Sequence, residues 1–266
     1  PLENVITEAL MLAEKGVKEL IVIAQDTTYY GLDIYKKRKL ALLLEKLSDI
    51  KAFEWIRLHY AFPSGFPEDV LDVMKSRSNI CKYLDIPLQH INTEILQSMR
   101  RGIDRKGTVD LLKKIRSKIP GIALRTAFIT GYPGETTKQF EELVEFVRIQ
   151  QFERMGVFKY SNEEGTYAAT LKPQINSKIK QQRYDRLMEL QQEISSEMNR
   201  NLVGKELKVI IERQEGDFFV GRTEFDSPEI DNEVLIPTAG KKIKTGNFYT
   251  ARITGADVYD LYAELR

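Results

Sequence analysis

The chain has 266 residues, 42% of them hydrophobic and 30% charged, and a formal net charge of +1. This length and composition predict a soluble globular protein with one large and one small domain, and the near-zero charge argues against a protein that coats nucleic acid. No long apolar stretch or secretory signal is present, so we expect no membrane span and a cytoplasmic location. The single cysteine, Cys81, excludes an intrachain disulfide or a cysteine cluster for zinc or iron–sulfur within this chain.

The first part of the chain, through residue 160, alternates helical and strand-like segments in the order of βα units. A helix is predicted at Leu2–Glu14, where apolar residues recur at helical spacing before Gly16. Strands are predicted at 19–24, 54–60, 83–86, 122–129 and 154–160, and helices at 38–47, 68–77, 108–119 and 137–150. We expect five parallel strands with right-handed crossovers, arranged as a partial (β/α) barrel of the TIM type or as a doubly wound sheet.

The last third of the chain follows a different pattern. Residues 178–200 carry an apolar stripe on a charged background, which predicts a long amphipathic helix. After Gly204 the pattern has period two, with short runs at 207–211, 218–221, 233–236 and 249–256 that predict a small all-β barrel. We therefore divide the chain into an α/β core (1–176), a linking helix (177–202) and a β-barrel domain (203–266).

Polar side chains follow each predicted strand, at the edge where parallel sheets bind ligands. In strand order they are Gln25 and Asp26, then His59, then Gln89 and His90, then Gly131, Gly134 and Glu135, and last Tyr160 and Ser161. The two glycines permit close backbone approach, and Thr136 can cap the next helix so that its free N–H groups face a ligand. This mouth offers partners to a cofactor with an amino-acid end, a ribose and a purine.

Several runs of residues carry a family resemblance. Residues 83–90 (YLDIPLQH), 98–102 (SMRRG) and 125–135 (RTAFITGYPGE) resemble the methylthiotransferase family of radical S-adenosylmethionine enzymes. Residues 156–166 (GVFKYSNEEGT) resemble that family's barrel end, and residues 221–234 (GRTEFDSPEIDNEV) resemble its C-terminal TRAM domain. Within the family, the chain is most similar to the enzymes that modify an aspartate of a small-subunit ribosomal protein.

The resemblance implies S-adenosylmethionine and two 4Fe–4S clusters as cofactors of the full-length protein. In the family, one cluster follows the first barrel strand and reduces S-adenosylmethionine to a radical that removes hydrogen from the substrate; the second is associated with the sulfur. Both need cysteines that would lie before Pro1, so we expect this chain to lack the first strand and both ligand sets and to be inactive alone. The expected partners are a reductant for the cluster and a small-subunit ribosomal protein or the ribosome, with tRNA as the alternative.

The resemblance also suggests roles for the mouth residues. Arg125 is expected to bind the cofactor carboxylate, Gln89 and the loop 131–135 to lie near its ribose and adenine, and Gln25 and Asp26 near its amino group. The alternatives are a salt bridge at the barrel rim for Arg125 and turn capping for Asp26. Tyr160 either packs in the core or forms part of the cavity wall. Tyr160 and Ser161 are the last two residues predicted to bind the cofactor.

Four further residues are candidates for substrate contact: His59, His90, Arg100 and Arg101. A hydrogen-bonded position at a strand end is the alternative for the two histidines, and neither has metal-ligand spacing. A helix C-terminus that attracts cations is the alternative for the two arginines. We predict no metal ligand and no catalytic side chain in this chain.

The charge of the β-barrel domain bears on the substrate. From Val203 to Arg266 there are nine Lys and Arg residues against twelve Asp and Glu residues, which favours a basic ribosomal protein over tRNA. Lys241, Lys242 and Lys244 form a basic run that either touches RNA or lies in a solvated turn. A different class of function, a non-catalytic RNA- or protein-binding module, remains a further alternative.

Overall fold

A computed structural model describes residues 1–238, 240 and 242–266. Lys241 of the predicted basic run lies outside the described residues, whereas Lys242 and Lys244 are exposed. The strands of the N-terminal part are β1 (Glu19–Val22), β2 (Trp55–Leu58), β3 (Ile80–Asp85), β4 (Ala123–Thr130) and β5 (Arg154–Lys159). Its helices are α1 (Leu2–Glu14), α2 (Leu32–Tyr35), α3 (Leu40–Ser48), α4 (Asp69–Ser76), α5 (Thr93–Ser98), α6 (Arg105–Lys118), α7 (Thr137–Gln150) and α8 (Tyr167–Thr170).

The five strands form one parallel sheet in the order β1-β2-β3-β4-β5. Crossovers between parallel strands are right-handed in nearly all proteins, so an unbroken sequential order places the crossover helices on one face. This is the partial (β/α) barrel that we predicted. The doubly wound alternative is excluded, because its strand order reverses and its helices cover both faces.

The two faces of the sheet have different chemistry. Residues such as Ile56, Leu84 and Leu124 point outward and belong to the main apolar core, which the helices complete. Trp55 and Tyr83 point inward and pack in a separate cluster with residues of the C-terminal domain. The helices thus cover the outer face, and the inner face is left for the C-terminal domain and the site.

The C-terminal domain follows α9 (Ser177–Arg200), the amphipathic helix expected from the sequence. Its strands are β6 (Glu206–Glu215), β7 (Phe218–Thr223), β8 (Val234–Pro237), β9 (Phe248–Ala256) and β10 (Leu261–Leu265). They close into a barrel in the order β10-β8-β7-β6-β9, which confirms the predicted all-β barrel. The sequence reasoning missed β10, although Leu261 and Ala263 alternate with exposed neighbours there. No described helix has the length and apolar character that crossing a membrane requires.

Candidate functional site

The connection between β7 and β8 packs against the inner face of the sheet at one end of the barrel. We call its residues 223–232 the plug. Arg57, which is completely buried, donates from Nη1 to the carbonyl oxygen of Glu224 over 2.8 Å and from Nε to Glu19 Oε1 over 2.9 Å. Arg154 donates from Nε to Asp226 Oδ1 over 2.8 Å. Glu19 and Arg154 are the first residues of β1 and β5, so the plug closes the barrel at the end opposite the mouth.

Arg125 belongs to this plug contact and not to the mouth. Its Nη1 lies 3.1 Å from Asp85 Oδ1, and its Nε lies 3.3 Å from Asp231 Oδ1 of the plug. Burial alone would lower the pKa of Arg125, but the two carboxylates outweigh it and the pKa is raised. The salt-bridge alternative therefore describes its position, because Arg125 lies near the start of β4 and the ligand edge lies at the end of that strand.

The two histidines are also engaged inside the protein. His59 is buried against the plug, with Nε2 2.9 Å from Ser227 Oγ, and burial lowers its pKa. His90 is completely buried; its Nδ1 accepts from the Asn92 N–H over 2.9 Å, and its Nε2 lies 3.3 Å from Glu135 Oε1. The structure therefore gives both residues the hydrogen-bonded position that was the alternative to substrate contact, and it brings neither to the mouth.

The glycine-containing loop after β4 uses its polar groups internally. The buried carboxylate of Glu135 accepts from the Gly131 N–H and from Arg183 Nη1 of α9, the latter over 2.7 Å. The Gly134 N–H donates to the Pro173 carbonyl over 2.9 Å. The Glu135 contact thus holds the loop against α9, and the Gly134 contact ties it to the segment before α9. The polar groups of this loop therefore do not face the mouth. Gly131 has φ +73°, and a Cβ there would lie 2.3 Å from a side-chain carbon of Lys180.

Two cavities open at the mouth, and Gln89 and Arg101 line both of them. The first mouth cavity, of about 430 Å³, also has Gln25, Asp26, Tyr60, Phe62 and Pro87 in its wall. The second mouth cavity, of about 370 Å³, also has Ser98, Met99, Arg100, Tyr132, Tyr160 and Tyr167 in its wall. Both volumes lie in the range of small-molecule sites, and the shared residues place the two cavities side by side.

Left-handed backbone conformations concentrate around these cavities. Tyr60, Gln89 and Arg100 have φ of 51°, 71° and 55°, and each of them lines a mouth cavity. A left-handed conformation costs a residue with a side chain about 1–2 kcal/mol, and such strain often marks functional sites. The mouth is therefore the candidate site on backbone grounds as well as by shape.

The remaining predicted residues occupy the mouth in different ways. Asp26 caps the turn 27–29, where its Oδ1 accepts from the Thr28 N–H over 2.9 Å, as the capping alternative required. Gln25 is exposed in the cavity wall. Ser161 is exposed outside both cavities and donates to Glu163 Oε1 over 2.8 Å. Tyr160 is cavity wall, and its buried hydroxyl has no hydrogen-bond partner among the described residues.

Arg101 is held rigidly between the cavities. Its guanidinium lies 4.2 Å from the ring centre of Phe62, and its Nη2 donates to the Pro87 carbonyl over 2.6 Å. Its Nε is buried without a partner among the described residues. Burial lowers the pKa of Arg101 to about 10, with Asp26 acting in the opposite direction, so it remains a cation at neutral pH.

The fold combines a partial parallel barrel, which has a polar mouth, with a small β-barrel that closes its other end. This combination defines a class of protein, and similarity to known protein families identifies that class. The chain belongs to the radical SAM superfamily, whose family model matches residues 1–147. A TRAM domain model matches residues 203–265.

Individual relatives match along almost the whole chain. The ribosomal protein uS12 methylthiotransferase RimO of Christiangramia forsetii is 53% identical over 264 residues, which cover 99% of this chain and 59% of that protein. RimO of Chloroherpeton thalassium is 54% identical over 268 residues, or 100% of this chain and 62% of that protein. The chain thus spans about three-fifths of the length of these curated relatives.

Among solved structures, coproporphyrinogen III oxidase (HemN) from Escherichia coli, titled a radical SAM enzyme, matches with a TM-score of 0.50 at 18% identity. The match covers 73% of this chain and 46% of HemN. At that identity the likeness concerns the fold alone.

The cofactors of the superfamily fit this chain unequally. Burial raises the pKa of the Cys81 thiol to about 12, and a cluster requires accessible thiolates. Within residues 1–238, 240 and 242–266, no group of three or more His, Cys, Asp and Glu side chains is placed to hold a metal. An iron–sulfur cluster therefore does not fit the described residues. S-adenosylmethionine fits better, because the first mouth cavity combines Asp26, the Gln89 amide and the partly unsatisfied Arg101 guanidinium.

The sequence reasoning missed two groups of site residues. The aromatic wall of the cavities includes Phe62 and Tyr167, whose positions beside the chosen motifs were a usable signal. The plug was missed because its partners are far apart in sequence.

Proposed function

We propose that the complete protein containing this chain transfers a methylthio group to the β-carbon of an aspartate of ribosomal protein uS12. The observation that carries this proposal is the identity of 53% to a uS12 methylthiotransferase across 99% of the chain. The match spans 264 residues, so the mouth and the plug lie within the compared region.

The first mouth cavity is the proposed site for S-adenosylmethionine, which when bound supplies radical chemistry at an unreactive carbon. On this proposal Asp26 accepts from the cofactor's ammonium group and Gln89 bonds its ribose or adenine, because both line this cavity. Arg101 takes the role that was predicted for Arg125, because it is a cation in the wall of that cavity. The aromatic rings of Tyr60 and Phe62 offer apolar surface to the adenosine.

We propose that the groups that generate the radical and supply the sulfur belong to parts of the protein outside this chain. The ligands of both 4Fe–4S clusters are proposed to lie there, because Cys81 is the one cysteine present. On this proposal the chain alone is inactive, and the complete protein needs a reducing partner. Residues 177–202 link the barrel to the TRAM domain, and residues 203–266 contribute the surface that meets the ribosomal protein.

The choice of protein over tRNA as substrate has two supports. The relatives are named for uS12, and the TRAM domain has more acidic than basic residues, which suits a basic ribosomal protein. Wide basic surfaces are typical of proteins that grip nucleic-acid phosphates.

The test is an assay of the complete protein, reconstituted with iron and sulfide, on uS12 and on tRNA in parallel. We expect mass spectrometry to find one methylthio group added to the target aspartate of uS12 and none on tRNA. Addition to tRNA alone would refute uS12 as the substrate. The absence of product on both uS12 and tRNA would refute the proposed methylthiotransferase activity. Gln89→Ala should weaken S-adenosylmethionine binding, whereas the matched change Gln182→Ala on an exposed position of α9 should not.

A further inference from the structure

The second mouth cavity has the charge of an anion site. Arg100 and Arg101 are in its wall, and none of the residues that line it is acidic. Arg100 is exposed and Arg101 is half-buried, and among the described residues no carboxylate lies within salt-bridge distance of either guanidinium. Asp26 in the wall of the first mouth cavity acts on Arg101, but no acidic side chain of the described residues lines the second mouth cavity or contacts Arg100 there.

Arg100 occupies a backbone position that normally favours glycine. Helix α5 ends in a Schellman motif, in which the Arg100 N–H donates to the Gln97 carbonyl and the Arg101 N–H to the Leu96 carbonyl, each over 2.9 Å. Arg100 is the left-handed residue of that motif, with φ 55°. A large side chain is strained at this position, so its presence indicates a purpose other than ending the helix.

Residues that carry hydroxyl groups also line this cavity. The Tyr160 hydroxyl is buried without a partner among the described residues, and Ser98 Oγ lies 3.1 Å from the Tyr132 hydroxyl. Met99 and Ile129 add an apolar wall. A short side chain with an anionic end and an aliphatic stem matches this combination of groups.

We propose that the second mouth cavity binds the carboxylate of the target aspartate, and that Arg100 is its principal contact. The Arg100 guanidinium lies 5.2 Å from the ring centre of Tyr167, so the ring limits its movement at the cavity wall. Because Gln89 and Arg101 line both cavities, an aspartate bound here has its β-carbon beside the cofactor site. This inference rests on the proposed function and adds the group that selects aspartate.

The test measures binding of two labelled uS12 peptides to the complete protein, one with the target aspartate and one with asparagine in its place. The peptides differ by one charge, so a charge-assisted contact should favour the aspartate peptide about tenfold, and Arg100→Gln should abolish that preference. Arg100→Lys should retain part of the preference, because lysine keeps the positive charge but lacks the two-pronged hydrogen-bond geometry of a guanidinium. The matched control is Arg148→Gln on the exposed side of α7, which should keep the full preference.

The outcomes separate the inference from the proposed function. A preference lost in Arg100→Gln and kept in Arg148→Gln supports the inference, provided that the Gln variant keeps its fold and still binds S-adenosylmethionine. Equal binding of both peptides to the unchanged protein, or a preference unaffected by Arg100→Gln, overturns the inference while uS12 is still modified. If the unchanged protein neither binds nor modifies either peptide, the proposed function fails, and the inference fails with it.

Discussion

The contact between Arg154 and Asp226 gives a test of how the two domains are joined. Arg154 is 8% exposed and Asp226 is 1% exposed, so the pair is buried where the plug meets β5. Besides Arg154, the Asp226 carboxylate accepts from Thr223 Oγ1 over 2.5 Å. Asp226→Ala leaves the Arg154 guanidinium buried without its carboxylate.

Removing one partner of a buried ion pair costs about 3–5 kcal/mol, because the remaining charge is neither solvated nor neutralised. Domains are typically stable by only about 5–15 kcal/mol, so this loss is a large fraction of the free energy of unfolding. Replacing both partners by apolar residues, as in Arg154→Met with Asp226→Leu, should recover most of the loss, since no unpaired charge remains.

The assay is urea unfolding followed by fluorescence of Trp55, the single tryptophan of the chain. Its ring packs edge-on against Phe248 of the C-terminal barrel, with centroids 4.7 Å apart, so its emission reports the domain contact. Glu68→Ala, which breaks an exposed pair with Lys114, is the matched control and should cost less than about 1 kcal/mol. An Asp226→Ala loss no larger than that of the control would refute the account of the plug.

Three further predictions concern single side chains. Cys81 should resist alkylation in the folded protein and react on unfolding, because it is buried and its pKa is raised to about 12; rapid labelling, followed by mass spectrometry, would contradict this. Burial lowers the pKa of His59 below 6.5, so the unfolded chain binds a proton at this residue more readily than the folded protein does. The free energy of unfolding should therefore be highest above pH 6.5 and should decline as the pH falls toward the lowered pKa of the folded protein. Urea unfolding at about pH 7.5 and 5.5 should show a smaller decline in His59→Asn than in the unchanged protein, and an equal decline would count against this account. Arg100→Gly should raise the free energy of unfolding by about 0.5–1 kcal/mol while weakening peptide binding, and a destabilised variant would argue against strain at Arg100.

Much of the fold could be predicted because its signals are local. Helical spacing before Gly16 gave the bounds of α1, and the order of apolar runs gave five parallel strands. The strand β10 was missed because its five residues follow the polar turn 257–260 without a strong apolar run. The plug could not be predicted, because Arg125 and Asp231 are 106 residues apart and meet only when the domains dock.

The candidate site shows the same limit. Chain position predicted Gln89 and Tyr160 shortly after β3 and β5, and both line the mouth in the structure; their roles stay proposals. Chain position could not show which way a side chain points or which group pairs with its charge. Arg125 was chosen for its charge and Glu135 for its place in the loop after β4, and both are paired inside the protein by groups that are distant in sequence.

The most direct test of the central proposal is the mass of uS12 isolated from cells of the source organism with the gene deleted and then restored. We predict that the methylthio group on the target aspartate is lost on deletion and returns with the unchanged gene. Restoration with the Arg100→Gln gene should leave most uS12 unmodified. If uS12 carries the group equally with and without the gene, the proposed function is wrong.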